Sequence, residues 1–384
     1  MSGFFKSRWV DPPAGVEELD PAQLAPGFRA GAAHCGLKGG GKTDVGLIVC
    51  DVEDVASAIL LTRNASSAAP VRVCRERCDR GAVRAAVVNA GNANAETGEQ
   101  GYADAVAMCD EAAAQLGLRP ETVAVAETGV IGVPLPIESV LEGISEAAAD
   151  LSAAGGAAFS DAILTTDRWP KRCTLRAGGV TLSAQAKGGG MIQPNMATML
   201  CFVQTDAVVE DPDAALRATT DASFERITVD GQMSTNDTVL LQATGAAGAP
   251  LPEGLLEAVL LQLALEVVAD GEGSSRVGRV QVDGAASAAE AERVARAIAN
   301  SPLVKTALFG RDPNWSRIAQ AAGMALAGED LEEIGAGSID AAELGEDVAE
   351  AEIGLRLDRG EHSAHVWFSD LGHEYVRINA EYTT

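Results

Sequence analysis

Two kinds of segment alternate along the 384-residue chain: short apolar runs bounded by glycine, asparagine or aspartate, and longer stretches with apolar residues at helical spacing. The short runs are rich in β-branched residues and predict strands, at 45–52, 56–62, 83–90, 122–132, 180–187, 197–209 and 277–282. The longer stretches predict helices, over 102–116, 141–154, 212–222, 255–269, 286–299 and 315–325. From residue 334 to the end the pattern favours strands.

The order of these elements bears on the fold class. Strands and helices are mixed without a strict strand–helix–strand repeat, which favours an α/β chain of the α+β type with layered sheets and helices over a doubly wound parallel sheet. At roughly 150 residues per domain, a chain of this length is expected to form two domains.

Composition narrows the class of partner. The chain carries 29 lysines and arginines against 55 aspartates and glutamates, a net charge of −26. Such an acidic protein is not expected to bind nucleic acid or a membrane surface through charge. With 47% hydrophobic residues it can bury a large core. We therefore expect a globular protein that acts on small molecules.

Nothing in the sequence has the pattern of a signal peptide or a membrane span. The first 15 residues lack an apolar run. The longest apolar stretch, 255–269, is interrupted by Glu257, Gln262 and Glu266, as in an amphipathic helix. Seven cysteines are too sparse for a disulfide scaffold and are predicted to be reduced. These observations favour a cytoplasmic protein.

The spacing of histidines and cysteines bears on whether the chain binds a metal. His362 and His365 form HxxH with His373 nearby, and Cys74 and Cys78 form CxxxC. No acidic pattern such as HExxH accompanies the histidines, and no second cysteine pair lies at zinc-finger spacing. A polar strand and turn is the favoured interpretation of the histidines, and neither a metal nor another cofactor is predicted.

The segment Gly36–Thr43, GLKGGGKT, matches the phosphate-loop pattern G-x-x-x-x-G-K-[ST]. A working phosphate loop needs a buried strand before it and a helix after it, because the helix N-terminus provides the anion affinity. Here a weakly apolar segment precedes the match, and a predicted strand follows it. A flexible glycine turn is favoured, and a nucleotide-binding protein remains the alternative from another class.

The segment 187–207, KGGGMIQPNMATMLCFVQTDA, places a candidate nucleophile after a conformationally constrained loop. Three glycines and a Pro-Asn turn precede Ala197 and Thr198, which open an apolar strand. Threonine needs a base to act as a nucleophile, and cleavage before Thr198 would supply its own α-amine. On the residues alone, a glycine-rich turn followed by a buried strand with an ordinary threonine is the favoured interpretation.

Nearly the whole chain resembles the ornithine acetyltransferase family, the glutamate N-acetyltransferases of arginine biosynthesis. The segment KGGGMIQPNMATML resembles the processing site of that family. Further similar stretches follow the family order: TRNASSAAPV (62–71), NAGNANAETGEQG (89–101), TGVIGVPLP (128–136), AILTTDRWPK (162–171), FERITVDGQMSTNDT (224–238), DGEGSSR (270–276), SPLVKTALFGRDPNWSRI (301–318) and INAEYTT (378–384).

The resemblance implies a reaction and an assembly. Thr198 matches the nucleophile, and Ala197–Thr198 matches the bond that the protein cleaves in itself. An α chain of residues 1–197 and a β chain of 198–384, with a C-terminal domain from about 275, would stay together as an α2β2 heterotetramer. The implied fold is an α-β-β-α sandwich with a smaller C-terminal α/β domain.

The resemblance also implies the residues of the site. Thr128 and Gly129 match an oxyanion hole, with one hydroxyl and one backbone N–H facing the developing charge. Positions that contact the substrate in the family are matched by six residues: Thr165, Lys187, Thr198, Glu272, Asn379 and Thr384. Thr166 could replace Thr165 in this role.

The expected substrates are N-acetylornithine as acetyl donor and glutamate as acceptor, and acetyl-CoA as a further donor stays open. Our hypothesis is that Lys187 meets the substrate carboxylate and Glu272 the ornithine ammonium. The alternatives within the same site are an N-terminal-nucleophile amidase or aminopeptidase, and a non-catalytic relative that binds amino acids. Two departures from the family pattern, Arg168-Trp169 and Ser316, touch none of the proposed chemical groups.

Overall fold

The computed structural model describes residues 3–193, 199–329 and 334–381. Its strands are β1 (Glu17–Glu18), β2 (Phe28–Ala33), β3 (Val45–Cys50), β4 (Ala56–Leu61), β5 (Ala85–Asn92), β6 (Val123–Val130), β7 (Lys171–Ala177), β8 (Val180–Lys187), β9 (Leu200–Thr205), β10 (Ile227–Thr228), β11 (Thr238–Ala243), β12 (Val277–Ala285), β13 (Ile339–Asp340), β14 (Glu350–Arg356) and β15 (His362–Ser369). Its helices are α1 (Ala69–Arg77), α2 (Gly98–Leu116), α3 (Ile137–Ala149), α4 (Gly156–Ala162), α5 (Pro212–Ala222), α6 (Leu255–Ala269), α7 (Ala288–Asn300), α8 (Pro302–Gly310), α9 (Trp315–Ala325) and α10 (His373–Glu381).

Two sheets face each other in the larger part of the molecule. One has six strands in the order β1-β7-β8-β9-β11-β4, and the other has four in the order β2-β3-β5-β6. Alternation along β9 shows how they pack: Leu200 and Phe202 join the core shared with the four-stranded sheet, whereas Cys201 joins the core on the other face. Because strand side chains alternate between faces, the six-stranded sheet is buried on both sides.

Helices cover the outer faces of these sheets. Helices α1, α2 and α3 share a core with the four-stranded sheet, and α5 and α6 share one with the six-stranded sheet. The predicted α-β-β-α layering is therefore confirmed. Helix α6 has 11 buried residues of 15, so it is buried on most sides rather than simply amphipathic. Among the helices described, none is both long and apolar enough to cross a membrane.

A third sheet, in the order β10-β15-β12-β14-β13, has its own apolar core. Val280, Ile298 and Phe368 are fully buried in this core, which helices α7, α8 and α9 complete. The short strand β10 comes from the segment after α5 and pairs in parallel with β15, so the third sheet is joined to the preceding region. The chain boundaries at residues 197 and about 275 stay predictions.

Local structure departs from the sequence-based expectations at several places. The end of the chain, predicted as strand, forms α10 from His373 to Glu381. Arg377 pairs there with Glu374 and Glu381, one helical turn before and after it, and such pairs favour a helix. Helices α1, α4 and α8 and strands β1, β2, β7, β10 and β11 were not predicted. Helices α1 and α8 are short and carry proline in the first turn, a start signal that the apolar pattern alone does not show.

Candidate active site

One cavity of about 170 Å³ brings together most of the predicted site residues. Its lining includes Thr128, Gly129, Thr165, Lys187, Glu272 and Asn379. These residues come from β6, the end of β8, the loops after α4 and α6, and α10. Ala197, Thr198 and Thr384 lie outside the described residues, but Met199, the neighbour of Thr198, lines the cavity.

The backbone at Thr128 and Gly129 is shaped by the pairing of β5 with β6. The parallel ladder runs regularly to Gly91 and then shifts register at Asn92. Gly129 has φ 133°, and a Cβ there would overlap the Gly91 backbone. Only glycine fits this close approach. The irregular end of β6 thus places Thr128 and Gly129 at the edge of the cavity.

Lys187, the last residue of β8, is 7% exposed and donates from Nζ to Thr128 Oγ1 at 3.1 Å. Burial lowers the pKa of Lys187, and the charges of Asp167 and Glu272 partly oppose that effect. A buried ammonium with few polar contacts is stabilised by an anionic ligand. The environment of Lys187 is thus suited to a substrate carboxylate.

A buried ion network lies behind Lys187. Lys171 Nζ contacts Asp167 Oδ1 at 2.7 Å and Asp270 Oδ2 at 2.6 Å, and these three side chains are fully buried. Burial raises the pKa of Asp167, but Lys171 and Lys187 outweigh it and bring the pKa down to about 2. Asp167 also accepts the backbone N–H groups of Thr165 and Gly188. The network therefore couples the Thr165 loop to the start of the glycine loop.

Arg168, one of the two departures from the family pattern, belongs to the same network. Its Nε lies 2.9 Å from Asp270 Oδ1, and its backbone N–H also donates to that carboxylate. The other departure, Ser316, does not line this cavity and donates to Asn314 Oδ1 at the start of α9. Neither substitution introduces a side chain into the cavity lining.

The glycine loop makes room for Glu272. A Cβ on Gly190 would come within 2.6 Å of the Glu272 carboxylate. Glu272 N donates to Gly189 O at 2.7 Å, and Asn379 Nδ2 donates to Glu272 Oε2 at 2.8 Å. Asn379 therefore orients the Glu272 carboxylate from α10. Glu272 and Asn379, each predicted to contact the substrate, are thus hydrogen bonded to each other.

Several residues of the site had no role in the sequence analysis. Asp230 lines the cavity and accepts the backbone N–H groups of Met191 and Ile192 at 2.6 and 2.9 Å. Asn236 donates to the carbonyls of Ala93 and Glu127, and so joins the 230–237 loop to the end of β6. The signal for both was the polar run DGQMSTND inside an otherwise apolar region.

Glu127 lies directly before Thr128 and is fully buried on the opposite side of the strand. Asn89 and Asn94 donate to its two carboxyl oxygens at 2.5 and 2.8 Å. Burial raises the pKa of Glu127 to about 8, although both amide bonds act in the other direction. Glu127 is therefore mostly protonated at neutral pH.

The phosphate-loop match at 36–43 does not have the strand–loop–helix geometry of a phosphate loop. Strand β2 precedes it, a 3-10 turn occupies Gly39–Gly41, and the antiparallel strand β3 follows, so no helix N-terminus faces the loop. Lys38 Nζ donates to the carbonyls of Thr43 and Ala162. Within residues 3–193, 199–329 and 334–381, no cluster of three metal-ligating side chains is found, and all seven cysteines are free thiols.

The fold and this cavity define a class: a layered α-β-β-α acyltransferase, whose cavity is lined by a threonine, a glycine, a cationic side chain and an anionic one. The ArgJ family model matches residues 29–384, and the chain belongs to this family. It is 46% identical to the arginine biosynthesis bifunctional protein ArgJ of Symbiobacterium thermophilum, over 96% of this chain and 100% of that protein. The proteins of the same name from Geobacter sulfurreducens and Thermus thermophilus are 45% and 44% identical, over 93% and 94% of this chain and 99% of each relative.

Among solved structures, ornithine acetyltransferase of Mycobacterium tuberculosis, complexed with ornithine, is 35% identical. That similarity covers 47% of this chain and 100% of that chain, with a TM-score of 0.45. The family resemblance stated from the sequence motifs is confirmed by the family match and the near full-length relatives.

Proposed function

We propose that this protein transfers the acetyl group of N-acetylornithine to glutamate in arginine biosynthesis. The observation that carries the proposal is that one cavity is lined by Thr128, Gly129, Lys187 and Glu272. An amino-acid acyl donor requires these groups: donors for the oxyanion, a cation for the carboxylate and an anion for the ammonium.

The charges of the cavity match the substrates. Lys187 binds the α-carboxylate, which N-acetylornithine and glutamate share. Glu272, held by Asn379, binds the side-chain ammonium of ornithine. Glutamate has a carboxylate in place of that ammonium, so Glu272 contributes to the ornithine half-reaction and not to the glutamate half-reaction.

Thr128 supplies the side-chain donor of the oxyanion hole. Its Oγ1 accepts a hydrogen bond from Lys187, so the hydroxyl hydrogen remains available to donate into the cavity. The Gly129 N–H supplies the backbone donor. Together they stabilise the negative oxygen that forms when the acetyl carbonyl is attacked.

The nucleophile in this proposal is Thr198, which the family motif identifies. Thr198 Oγ first attacks the Ala197 carbonyl, an N→O acyl shift gives an ester, and hydrolysis of the ester frees the Thr198 α-amine. With a pKa near 7.7–8.0, that amine can accept the hydroxyl proton at neutral pH. Met199 and Leu200 in the cavity lining support a position of Thr198 beside the oxyanion donors.

Transfer then proceeds in two balanced steps. Thr198 Oγ attacks the acetyl carbonyl, its proton passes through the α-amine to the departing ornithine nitrogen, and an acetyl ester on Thr198 remains. The glutamate amine next attacks this ester, and its proton returns to Thr198 Oγ as N-acetylglutamate leaves. No cofactor is needed. Residues 1–197 and 198–384 form an α2β2 assembly in this proposal, and the free thiols support a cytoplasmic location.

Intact-mass measurement tests the proposal. Wild type should separate into chains of 1–197 and 198–384, whereas Thr198→Ala should remain a single chain. N-acetylornithine alone should add one acetyl group to the 198–384 chain, and glutamate should then remove it. An uncut wild-type chain with full activity refutes self-cleavage, and steady release of acetate without glutamate supports the amidase alternative. Acetyl-CoA in place of N-acetylornithine tests the second donor.

A further inference from the structure

A second cavity lies between the sandwich and the third sheet. It is lined by Trp9 near the N-terminus, by residues of α5, α6 and α7, and by Arg279, His365 and Trp367 of β12 and β15. None of its described lining residues belongs to the active-site cavity. Its volume is about 470 Å³, far more than the roughly 30 Å³ that one water molecule occupies in the liquid.

The sheet register places the polar side chains of this cavity on one face. Arg279 pairs with Trp367 and Gln281 with His365 across β12 and β15. The intervening residues, Val280 and Val366, are buried in the core beneath α7. Because side chains alternate along a strand, Arg279, His365 and Trp367 share the opposite face, towards α6.

Buried polar nitrogens on this face lack hydrogen-bond partners in the described part of the chain. Trp367 Nε1, Arg279 Nε and His365 Nε2 are buried and make no hydrogen bond there. Trp367 is only 2% exposed, so its indole N–H cannot reach bulk water. A buried donor without an acceptor is costly, and most such groups in proteins do have one. Trp367 and Arg279 therefore offer two hydrogen-bond donors to an acceptor in the cavity.

The charges around the cavity describe that acceptor. Arg279 Nη2 binds Glu352 Oε1 at 2.7 Å, and Arg226 lies 3.4 Å from Glu292, so both guanidinium groups are held at the cavity wall. Burial, together with Arg279 and Arg226, lowers the pKa of His365 to about 4, which leaves the imidazole neutral at pH 7. Glu257 and Glu292 line the cavity and Glu352 is bound to Arg279, so a dianion is disfavoured and a single carboxylate fits better.

Glu257 supplies the opposite charge. It lines the cavity from the first turn of α6, is exposed, and makes no ion pair with any residue that the structure describes. A ligand with a carboxylate at the buried donors and an ammonium towards Glu257 would satisfy both ends. In a free α-amino acid both groups are bonded to the same carbon.

We propose that this cavity is a second binding site for a small α-amino acid, in which the ligand carboxylate accepts hydrogen bonds from Trp367 Nε1 and Arg279 Nε. The ammonium of the ligand points towards Glu257. This site is independent of the acetyl transfer proposed above, because it shares no residue with the reaction.

Glycine is the probe, since it has only the two recognised groups. The chain has four tryptophans, so a 15N spectrum shows four indole N–H signals, and Trp367→Phe assigns the relevant one. Glycine should shift the Trp367 signal saturably in wild type and in Lys187→Met, which disables carboxylate binding at the active site. Trp169 and Trp315 do not line the cavity, so their signals serve as internal controls. Arg279→Gln should weaken glycine binding by about tenfold, through loss of a charge-assisted hydrogen bond.

Acetate and ethylammonium separate the two ends of the ligand. Acetate should bind more weakly than glycine and still shift the Trp367 signal, and ethylammonium should not. Absence of a saturable Trp367 shift with glycine, as expected of a cavity filled by water alone, overturns the proposal. So does unchanged affinity in Arg279→Gln, or loss of the Trp367 shift in Lys187→Met. Acetyl-transfer activity is measured in parallel, and its absence would count against the proposed reaction without affecting this site.

Discussion

Thr128 provides the most direct test of the proposed chemistry. Replacement by alanine removes the hydroxyl donor and also the acceptor of the Lys187 hydrogen bond, which measures 3.1 Å. The Gly129 N–H and its constrained backbone stay in place, because Gly129 is held by the β5–β6 pairing. Loss of one oxyanion donor lowers kcat by about 10²–10³, or roughly 2.7–4 kcal/mol of barrier. Thr128 is partly exposed to the cavity, so the stability change should stay within about 1 kcal/mol.

The assay is the rate at which N-acetylornithine acetylates the 198–384 chain in a single turnover, followed by intact mass. Each preparation is first checked for cleavage, because the same oxyanion hole could assist self-processing, and the rate is referred to the cleaved fraction. Thr128→Ser, which keeps a hydroxyl, should recover most of the rate, whereas Thr128→Val, which keeps the shape without the hydroxyl, should resemble Thr128→Ala. Alanine and valine variants within about threefold of wild type would refute the assignment, since that loss is far below what one donor contributes.

Three further outcomes are expected. Lys187→Met should slow acetylation by N-acetylornithine and deacetylation by glutamate alike, whereas Glu272→Gln should slow mainly the first; equal effects of Glu272→Gln on both half-reactions would contradict the charge assignment. Gly190→Ala places a Cβ within 2.6 Å of the Glu272 carboxylate, so KM for N-acetylornithine should rise while the melting temperature changes little, and an unchanged KM would argue against Glu272 as a contact. Burial raises the pKa of Glu127 from 4.5 to about 8, so the folded protein keeps a proton that the unfolded chain releases, and the free energy of unfolding should fall as pH rises through that range. Urea denaturation from about pH 5 to about pH 8 should show this fall in wild type and a smaller one in Glu127→Gln; identical slopes would mean that Glu127 is ionised in the fold.

Local patterns in the sequence were sufficient for much of the secondary structure. The apolar runs at 45–52, 56–62 and 180–187 form β3, β4 and β8, and the helical spacing at 212–222 and 315–325 forms α5 and α9. These predictions succeeded because burial on a sheet or beneath a helix imposes a short periodicity on consecutive residues. The C-terminal helix α10 was predicted wrongly, because its segment is polar with isolated tyrosine, valine and isoleucine, and none of its described residues is buried.

The sequence by itself also determined the family, because the motifs stand in order along nearly the whole chain, and with the family came the residue types of the site. Only the tertiary structure decided which of them meet. Thr128 and Lys187 are 59 positions apart, and Glu272 and Asn379 are 107 apart, yet each pair is hydrogen bonded. Such contacts depend on sheet register and layer packing, which bring distant segments together and leave no periodic signal in the chain. The Lys171–Asp270 network and the unpartnered donors of the second cavity arise in the same way, from neighbours that no local pattern specifies.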